Sequence, residues 1–311
     1  MSTSILLSIC IPTYNGGANL RTTIDCILKS IGTRDDIEVF VSDNCSNEET
    51  KLIIESYEKR GLIKANYNSQ NLGFNGNLMM LLEHCAHGEY CWVLGDDDFI
   101  DIDTFDLLYT LLSKRKYDYI SINSKFTTQK QYDTYRIPKG RKLDYVEGDF
   151  FYCIDTNAYV GNVLGTFMSS HIFKLDAVKK VGIKEEYRSN AWDNYLNVFP
   201  NSNLMLDAFH NSEKCVAVKN PLITVLVRDK TYTNKMSFLV NTIIPKLYKH
   251  YVLIAGSSER LRNNKKAVNH LIYWNNFKRF VKGDFKNVVF SYLFKPQTMV
   301  AVYNGMKSMC K

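Results

Sequence analysis

The chain has 311 residues, of which 45% are hydrophobic, 13% aromatic and 23% charged, enough apolar mass for a sizeable core in one large domain or two small ones. Its 6 prolines and 16 glycines argue against collagen-like or extensively disordered stretches, and no repeat of about 20–50 residues points to a solenoid or propeller. The net charge of +7 is uneven: residues 245–311 carry thirteen Lys and Arg against Glu259 and Asp284, which leaves the first 244 residues slightly acidic.

Short apolar runs alternate with helical periodicity through the first ~120 residues, the pattern of βαβ units around a mostly parallel central sheet flanked by helices. Leu6–Ile11 is a near-continuous apolar run, as expected of a strand covered on both faces. A loop over Pro12–Gly17 follows, and then Leu20, Ile24, Ile27 and Leu28 recur at helical spacing. Ile37–Val41 reads as a second strand, and Asn47, Glu48 and Glu49 open a helix where negative charge suits the dipole. Ile63–Tyr67 is a third strand, Leu78–His87 a helix ending at Gly88, and Tyr90–Leu94 a fourth strand that runs into Gly95-Asp96-Asp97-Asp98. A helix from about Thr104 to Lys114 and a strand at Tyr117–Asn123 complete this half.

Beyond residue 124 the alternation weakens. Tyr132–Arg141 is polar and reads as a loop, Val163–Ser170 as a strand, Lys174–Val181 as a short helix and Pro221–Arg228 as a last strand. Asn190–Val198 is of mixed character, and past Asn241 the pattern is helical with interruptions near Gly256 and Gly283. No run reaches the ~18 apolar residues of a membrane-spanning helix. The first apolar run is short, lacks preceding basic residues and meets Pro12, so a buried strand is expected there, not a signal peptide. The eight cysteines contain no C-x-x-C pair and sit mostly in apolar runs, which suits reduced, buried thiols in a cytoplasmic protein.

In an open parallel sheet, ligands bind outside the carboxyl ends of the strands. Four polar clusters fall there: Pro12-Thr13-Tyr14-Asn15, Asp43-Asn44, the Asn-rich stretch from Asn68 to Asn77, and Asp96-Asp97-Asp98. Three adjacent carboxylates repel one another, and a hard divalent cation such as Mg²⁺ or Mn²⁺ removes that cost. The same acids could instead cap the helix near Thr104. Asp43 could accept from a nucleobase imino group or a ribose hydroxyl, or could close an Asx turn. Asn71, Gly73 and Asn77 could cradle a nucleotide or hold a tight turn. No G-x-G-x-x-G follows the first strand, and no P-loop or G-x-S-x-G elbow occurs, which disfavours dinucleotide redox chemistry, P-loop phosphoryl transfer and that class of hydrolase.

In order and spacing, these clusters resemble the family-2 glycosyltransferases, inverting enzymes with the GT-A nucleotide-diphosphosugar fold. The stretches that carry the resemblance are Ser8–Asn15, Val41–Ser46, Asn71-Leu72-Gly73 with Asn77, and Gly88-Glu89-Tyr90 leading into Gly95–Asp98. Within that family the chain is similar to bacterial O-antigen and capsule sugar transferases, including the abequosyltransferase-like branch. The resemblance implies that Pro12, Thr13, Tyr14 and Asn15 line the nucleobase pocket, that Asp43 binds the base, and that Asn71, Gly73 and Asn77 shape the floor under the ribose. The family's Asp-x-Asp falls on Gly95-Asp96-Asp97, so its first aspartate is Gly here and the ribose contact passes to Asp96. Asp97, with its neighbour Asp98, is then the metal site for Mn²⁺ or Mg²⁺. The resemblance further implies a catalytic base in the second half. Asp193, after Trp192, is the leading candidate, with Glu185, Glu186 and Asp207 as alternatives, and Val163–Ser170 is expected beside the acceptor.

The expected organisation is a GT-A catalytic domain over 1–240, with a nucleotide-sugar half at 1–123 and an acceptor half at 124–240, followed by a basic helical segment at 241–311. Tyr248, Tyr251, Trp274, Phe277, Phe280, Phe285, Phe290, Tyr292 and Phe294 accompany the basic residues of 245–311. Such a segment can lie on an anionic inner-membrane leaflet, or pack as an ordinary helical subdomain with a solvated basic face. Basic and aromatic groups also suit single-stranded nucleic acid, but no nucleic-acid motif accompanies them and none is expected as a partner. The reading is therefore a cytoplasmic, peripherally associated transferase using a nucleotide-diphosphate sugar and a glycan or lipid-linked acceptor. Its rivals are a sugar-nucleotidyltransferase and a non-catalytic sugar- or lipid-binding module.

Overall fold

The computed structural model describes residues 4–100, 102–127, 142–159, 162–226 and 238–281. Strand β1 (Leu7–Thr13) pairs in parallel with β2 (Ile37–Asp43) on one side and β4 (Tyr90–Val93) on the other, and β2 pairs with β3 (Lys64–Tyr67). All seven residues of β1 and of β2 are buried because helices cover both faces. Successive side chains then enter different cores. Ile9 and Ile11 meet Leu20, Ile24 and Ile27 of helix α1 (Gly17–Ile31), whereas Cys10 faces Leu78 and Cys91 in a second cluster. Helix α2 (Glu48–Glu58) starts where the Asn47 side chain accepts from Thr50 N at 3.1 Å.

Sequence pattern and structure part company at helix α3. It spans Gly73–Met80 and continues as a π-helical turn over Leu81–Cys85, so Asn75 and Asn77 lie on the helix and not in the preceding loop. After β4 the chain makes the short strand β5 (Asp98–Ile100), helix α4 (Ile102–Leu112) and the long strand β6 (Tyr119–Thr127).

The second half adds antiparallel strands to this parallel sheet. Strand β8 (His171–Lys174) inserts between β4 and β6, antiparallel to both, and β9 (Cys215–Leu226) runs parallel to β6. Strands β5 and β7 (Tyr145–Gly148) both pair antiparallel with β9, completing among the described residues a nine-stranded mixed sheet with the main order β3-β2-β1-β4-β8-β6-β9-β5. The strand expected at Val163–Ser170 is instead two 3-10 turns, Val163–Gly165 and Met168–Ser170, and extended pairing starts only at His171. Leu164 and Gly165 both adopt left-handed backbone, φ 55° and 67°, which a strand cannot accommodate.

Helices α5 (Phe150–Thr156), α6 (Leu175–Val181), α7 (Tyr195–Val198) and α8 (Pro200–Phe209) cover the second core, and neither α5 nor α8 stood out in the sequence. Helix α9 (Ile244–Ala255) places Leu247, Tyr251 and Ala255 in that same core beside Phe150, Leu204 and Phe209. Helix α10 (Arg262–Val281) follows, and Asn264, wholly buried, donates to the Asp155 carboxylate. The described part of the basic segment is thus an integral layer of the fold. The expected loop at Tyr132–Arg141, the break near Gly283 and the aromatic residues Phe285, Phe290, Tyr292 and Phe294 lie outside the described residues. The described cysteines are free, and Cys10, Cys85, Cys91, Cys153 and Cys215 are buried. No described helix is long and apolar enough to cross a membrane.

Candidate active site

The parallel strands deliver their carboxyl ends to one rim. There Leu94 N donates to Cys10 O at 2.9 Å, Asn44 N to Thr13 O at 2.9 Å and Asn68 N to Asp43 O at 2.9 Å, which ties the ends of β1, β2, β3 and β4 together. Beyond β4 the acidic triplet forms a turn of its own, closed by Asp98 N donating to Gly95 O at 3.2 Å. It leads into β5 before α4 begins, so it does not cap that helix.

The three carboxylates of the turn are not equivalent. Asp96 Oδ2 accepts from Thr13 Oγ1 at 2.6 Å, and its carbonyl accepts from Thr23 Oγ1 at 3.0 Å. Gly16 packs against this pair so tightly that a Cβ there would stand 2.6 Å from both Asp96 Oδ2 and Thr13 Oγ1. Asp97 is half-buried at the tip. Asp98, paired with Asp97 as a metal ligand in the sequence reading, turns inward. It is 4% exposed and its Oδ2 accepts from Ser169 Oγ. Burial pushes its carboxyl up to about 7, the neighbouring Asp97 charge adds to that rise, and the Ser169 hydrogen bond opposes it.

At the end of β2, buried Asp43 accepts from Ser46 N at 3.3 and 3.4 Å, the geometry of an Asx turn, while Cys45 takes left-handed backbone. Asn15 joins the same corner, its N–H donating to Ser46 Oγ and its side chain accepting from Asn47 N. Thr13 is buried within this rim, whereas Tyr14 is 52% exposed. Pro12 lies in β1 opposite Ser42.

Asn44 organises the Asn-rich stretch. Its Nδ2 donates to Asn71 Oδ1 at 2.9 Å and Gly73 O at 3.1 Å, and its Oδ1 accepts from Leu72 N at 2.9 Å. Asn71 Oδ1 also accepts from Gly73 N at 2.7 Å. Asn77 is buried, with its amide group bonded to Ser42 and Asn68. It therefore braces the floor of this region from within helix α3.

A second loop closes on that floor. Asn190 Nδ2 donates to Leu72 O at 2.8 Å and its Oδ1 accepts from Asn75 N at 3.2 Å. Asn75 Nδ2 in turn donates to Ser189 O and Asn197 O. Trp192 adopts φ 56° and packs beside Val198, Leu239 and Ile243. Asp193 follows it, exposed, with Oδ1 accepting from Asn194 Nδ2 at 2.9 Å and Asn197 Nδ2 at 2.6 Å. The cap of α7 is Asn194, so Asp193 is not needed for that task. Among the alternatives, Asp207 is bound by Lys184 at 2.7 Å and by Tyr187, Glu185 lies 3.7 Å from Arg188, and Glu186 is exposed on a short 3-10 turn.

The residues that sequence reasoning passed over are Thr23, Ser169 and Asn190. None carries a local signal, because each meets its partner across 73 to 118 residues of chain. Asn44 is singled out in the sequence together with Asp43, and its bonds to Asn71, Leu72 and Gly73 show what it holds.

The family model described as Glycosyl transferase family 2 matches residues 8–171. The chain is similar to the abequosyltransferase RfbV of Salmonella typhimurium, 34% identical over 113 residues that cover 36% of this chain and 34% of the relative. It is also similar to the GalNAc(5)-diNAcBac-PP-undecaprenol beta-1,3-glucosyltransferase of Campylobacter jejuni, 26% identical over 62% of this chain and 59% of that protein. The matched stretch thus spans about a third of the first relative and under two thirds of the second. Among solved structures, the mannosyltransferase PcManGT of Pyrobaculum calidifontis, in complex with GDP-Man and Mn²⁺, shares the fold. It has a TM-score of 0.56 at 14% identity, over 96% of this chain and 84% of that one.

Proposed function

The chain belongs to glycosyl transferase family 2 and has the GT-A fold, and on that footing we propose that it moves a sugar, with inversion, from a nucleotide-diphosphate sugar to a glycan or lipid-linked saccharide of a bacterial surface polysaccharide such as O-antigen or capsule. The observation that carries this reading is the convergence of the Gly95–Asp98 turn, the Asp43–Asn44 corner and the Asn190–Asp193 loop on one rim of the sheet. Tyr14 and Asp43 take the nucleobase, Asn71 and Gly73 the floor under the ribose, and Asp96 the ribose contact.

The donor set fits a hard divalent cation. Asp97 offers a half-buried carboxylate oxygen at the tip of the turn. Among the described residues no group of three or more His, Cys, Asp or Glu is arranged to hold an ion by itself. Mg²⁺ and Mn²⁺ are commonly bound by one or two carboxylates together with substrate phosphates, which matches this incomplete set. Asp97 would hold such an ion, which would supply positive charge to offset the negative charge of the departing diphosphate. Asp193 takes the proton from the acceptor hydroxyl as that oxygen attacks the anomeric carbon from the face opposite the diphosphate. The attack from the opposite face inverts the anomeric centre.

The acceptor assignment draws on the Campylobacter relative, whose name specifies an undecaprenol-linked substrate. The contact with an anionic inner leaflet is proposed for residues 245–311, where Lys246, Lys249 and Leu253 form one exposed face of α9.

The deciding experiment is a thermal-shift screen with UDP, GDP, CDP and TDP, each with and without Mn²⁺. One nucleotide at 100 times its dissociation constant should stabilise the protein by ~2.7 kcal/mol in a metal-dependent way, and Asp97→Ala should abolish the effect. No shift with any nucleotide would overturn the donor-site reading and favour a binding module.

A further inference from the structure

Within the metal reading proposed above, we infer that Ser169 is a positioning residue that clamps the acidic turn and sets the aim of Asp97, and that Asp98 serves as the anchor for that clamp and not as a metal ligand. Ser169 grips both ends of the turn. Its Oγ accepts from Gly95 N at 3.0 Å and donates to Asp98 Oδ2, which joins the first and last residues of the four. Its carbonyl accepts from Trp92 Nε1 at 2.8 Å, which fixes the serine to the strand that delivers the turn. Besides Ser169, the 3.2 Å bond from Asp98 N to Gly95 O closes the base of the turn. The fit leaves little slack, since a Cβ on Gly95 would lie 2.7 Å from Asp98 Oδ2.

Ser169 can act as a clamp because its own loop is rigidly held from the far side. The Gly165 carbonyl accepts from His171 Nε2 at 2.6 Å, Ser202 Oγ at 2.8 Å and Asn201 Nδ2 at 3.3 Å, and Phe167 N donates to Asn162 Oδ1 at 3.0 Å. Leu164 N donates to Asn264 on helix α10. Ser169 is wholly buried, so its hydroxyl does not exchange partners with water. The turn is thereby referenced to the acceptor-half framework, and the two residues left at its tip are Asp96, tied to Thr13, and Asp97.

The test measures formation of the ternary complex by water-proton relaxation enhancement. It uses Mn²⁺ with each of UDP, GDP, CDP and TDP on the full chain, with melting temperatures recorded in parallel. For the nucleotide that gives the enhancement, Ser169→Ala and Asp98→Ala should each weaken Mn²⁺ binding about tenfold, as outer-shell partners of metal ligands do. The double variant should be no worse than Ser169→Ala, because that substitution already removes the bond that Asp98→Ala breaks. Asp98→Asn keeps an oxygen for the Ser169 proton and should recover most of the affinity lost in Asp98→Ala, whereas Asp97→Asn should abolish the enhancement. A Ser169→Ala protein with wild-type Mn²⁺ affinity and a lowered melting temperature would overturn the inference and leave the metal reading intact. Loss in Asp98→Asn equal to that in Asp97→Asn would also overturn it, since Asp98 would then be a ligand. A wild-type protein that shows no enhancement with any nucleotide would overturn the metal reading and this inference together.

Discussion

The side-chain amide of Asn190 occupies the volume that a Cβ on Gly73 would need, and it bonds to the backbone one residue before and two residues after that glycine, Leu72 O at 2.8 Å and Asn75 N at 3.2 Å. Gly73 has φ 71°, a left-handed backbone that disfavours any side chain. Two constraints thus meet where the Asp193 loop locks onto the start of α3. Gly73→Ala should lower unfolding stability by about 2–3 kcal/mol and raise the donor KM. Adding Asn190→Ala should restore the part due to crowding and leave the backbone part, about 1–2 kcal/mol. Urea denaturation of the three proteins separates the two, and full recovery in the double variant would contradict the backbone argument.

Asp193→Asn is the direct test of the base. The substituted oxygen can still accept from Asn194 and Asn197, so the melting temperature should stay within a few degrees. The kcat for transfer should fall by about 10²–10⁴ while the donor KM is little changed. Wild-type turnover would move the base elsewhere and make Glu186 the next residue to substitute.

His171 gives stability a pH dependence of known sign. Buried between Tyr119 OH, 2.6 Å from Nδ1, and Gly165 O, 2.6 Å from Nε2, it satisfies both partners as the neutral ring with its proton on Nε2. Burial pushes its pKa down from 6.5 to about 4. Between those values the unfolded chain binds a proton that the folded chain refuses. Its contribution is therefore complete above pH 6.5 and declines as the pH falls towards 4, by about 3 kcal/mol in all. Melting curves of wild type and His171→Gln at pH 7.5 and pH 4.5 isolate this residue, and the wild type should lose more. Parallel losses in the two proteins would argue against a buried neutral imidazole.

Asp155 should prove more than a surface acid. It accepts from Asn263 N at 3.1 Å, Asn264 N at 2.9 Å and Asn264 Nδ2 at 3.0 Å, thereby capping the start of α10 from a different helix. Asp155→Ala should cost about 2 kcal/mol by chemical denaturation. Truncation after residue 243 should abolish cooperative unfolding, because it uncovers the core beneath Leu247, Tyr251 and Leu261. A sharp melting transition in the truncated protein would show that the basic segment is a separable domain.

Much of the first half was legible because its signals are local. A strand covered on both faces must be apolar almost without interruption, as Leu6–Ile11 is, and a helix over a sheet must repeat its apolar residues at helical spacing, as Leu20, Ile24 and Ile27 do. Those strand ends place Thr13, Asp43 and Asp96–Asp98 on one rim whatever the rest of the chain does. Val163–Ser170 shows the limit of such reasoning. It is apolar enough for a strand, yet Gly165 O is held by donors from His171, Asn201 and Ser202, and Leu164 N by Asn264, one hundred residues away. Those bonds stabilise two left-handed residues that no local pattern announces.

By itself, then, the amino-acid sequence determined the parallel half of the sheet, the position of the acidic turn at its edge and the family to which the chain is similar. Each depends on the chemistry of neighbouring residues. Only the tertiary structure decided which carboxylate of the turn faces outward, which loop closes over Gly73 and whether the basic helices pack with the core. These outcomes rest on Ser169, Asn190 and Asn264, side chains whose hydrogen-bond partners lie 71 to 118 residues away. Ser169 and Asn264 are buried and must find partners, Asn190 bridges two loops at the surface, and in each case the folded chain supplies the partner from wherever it brings the backbone close.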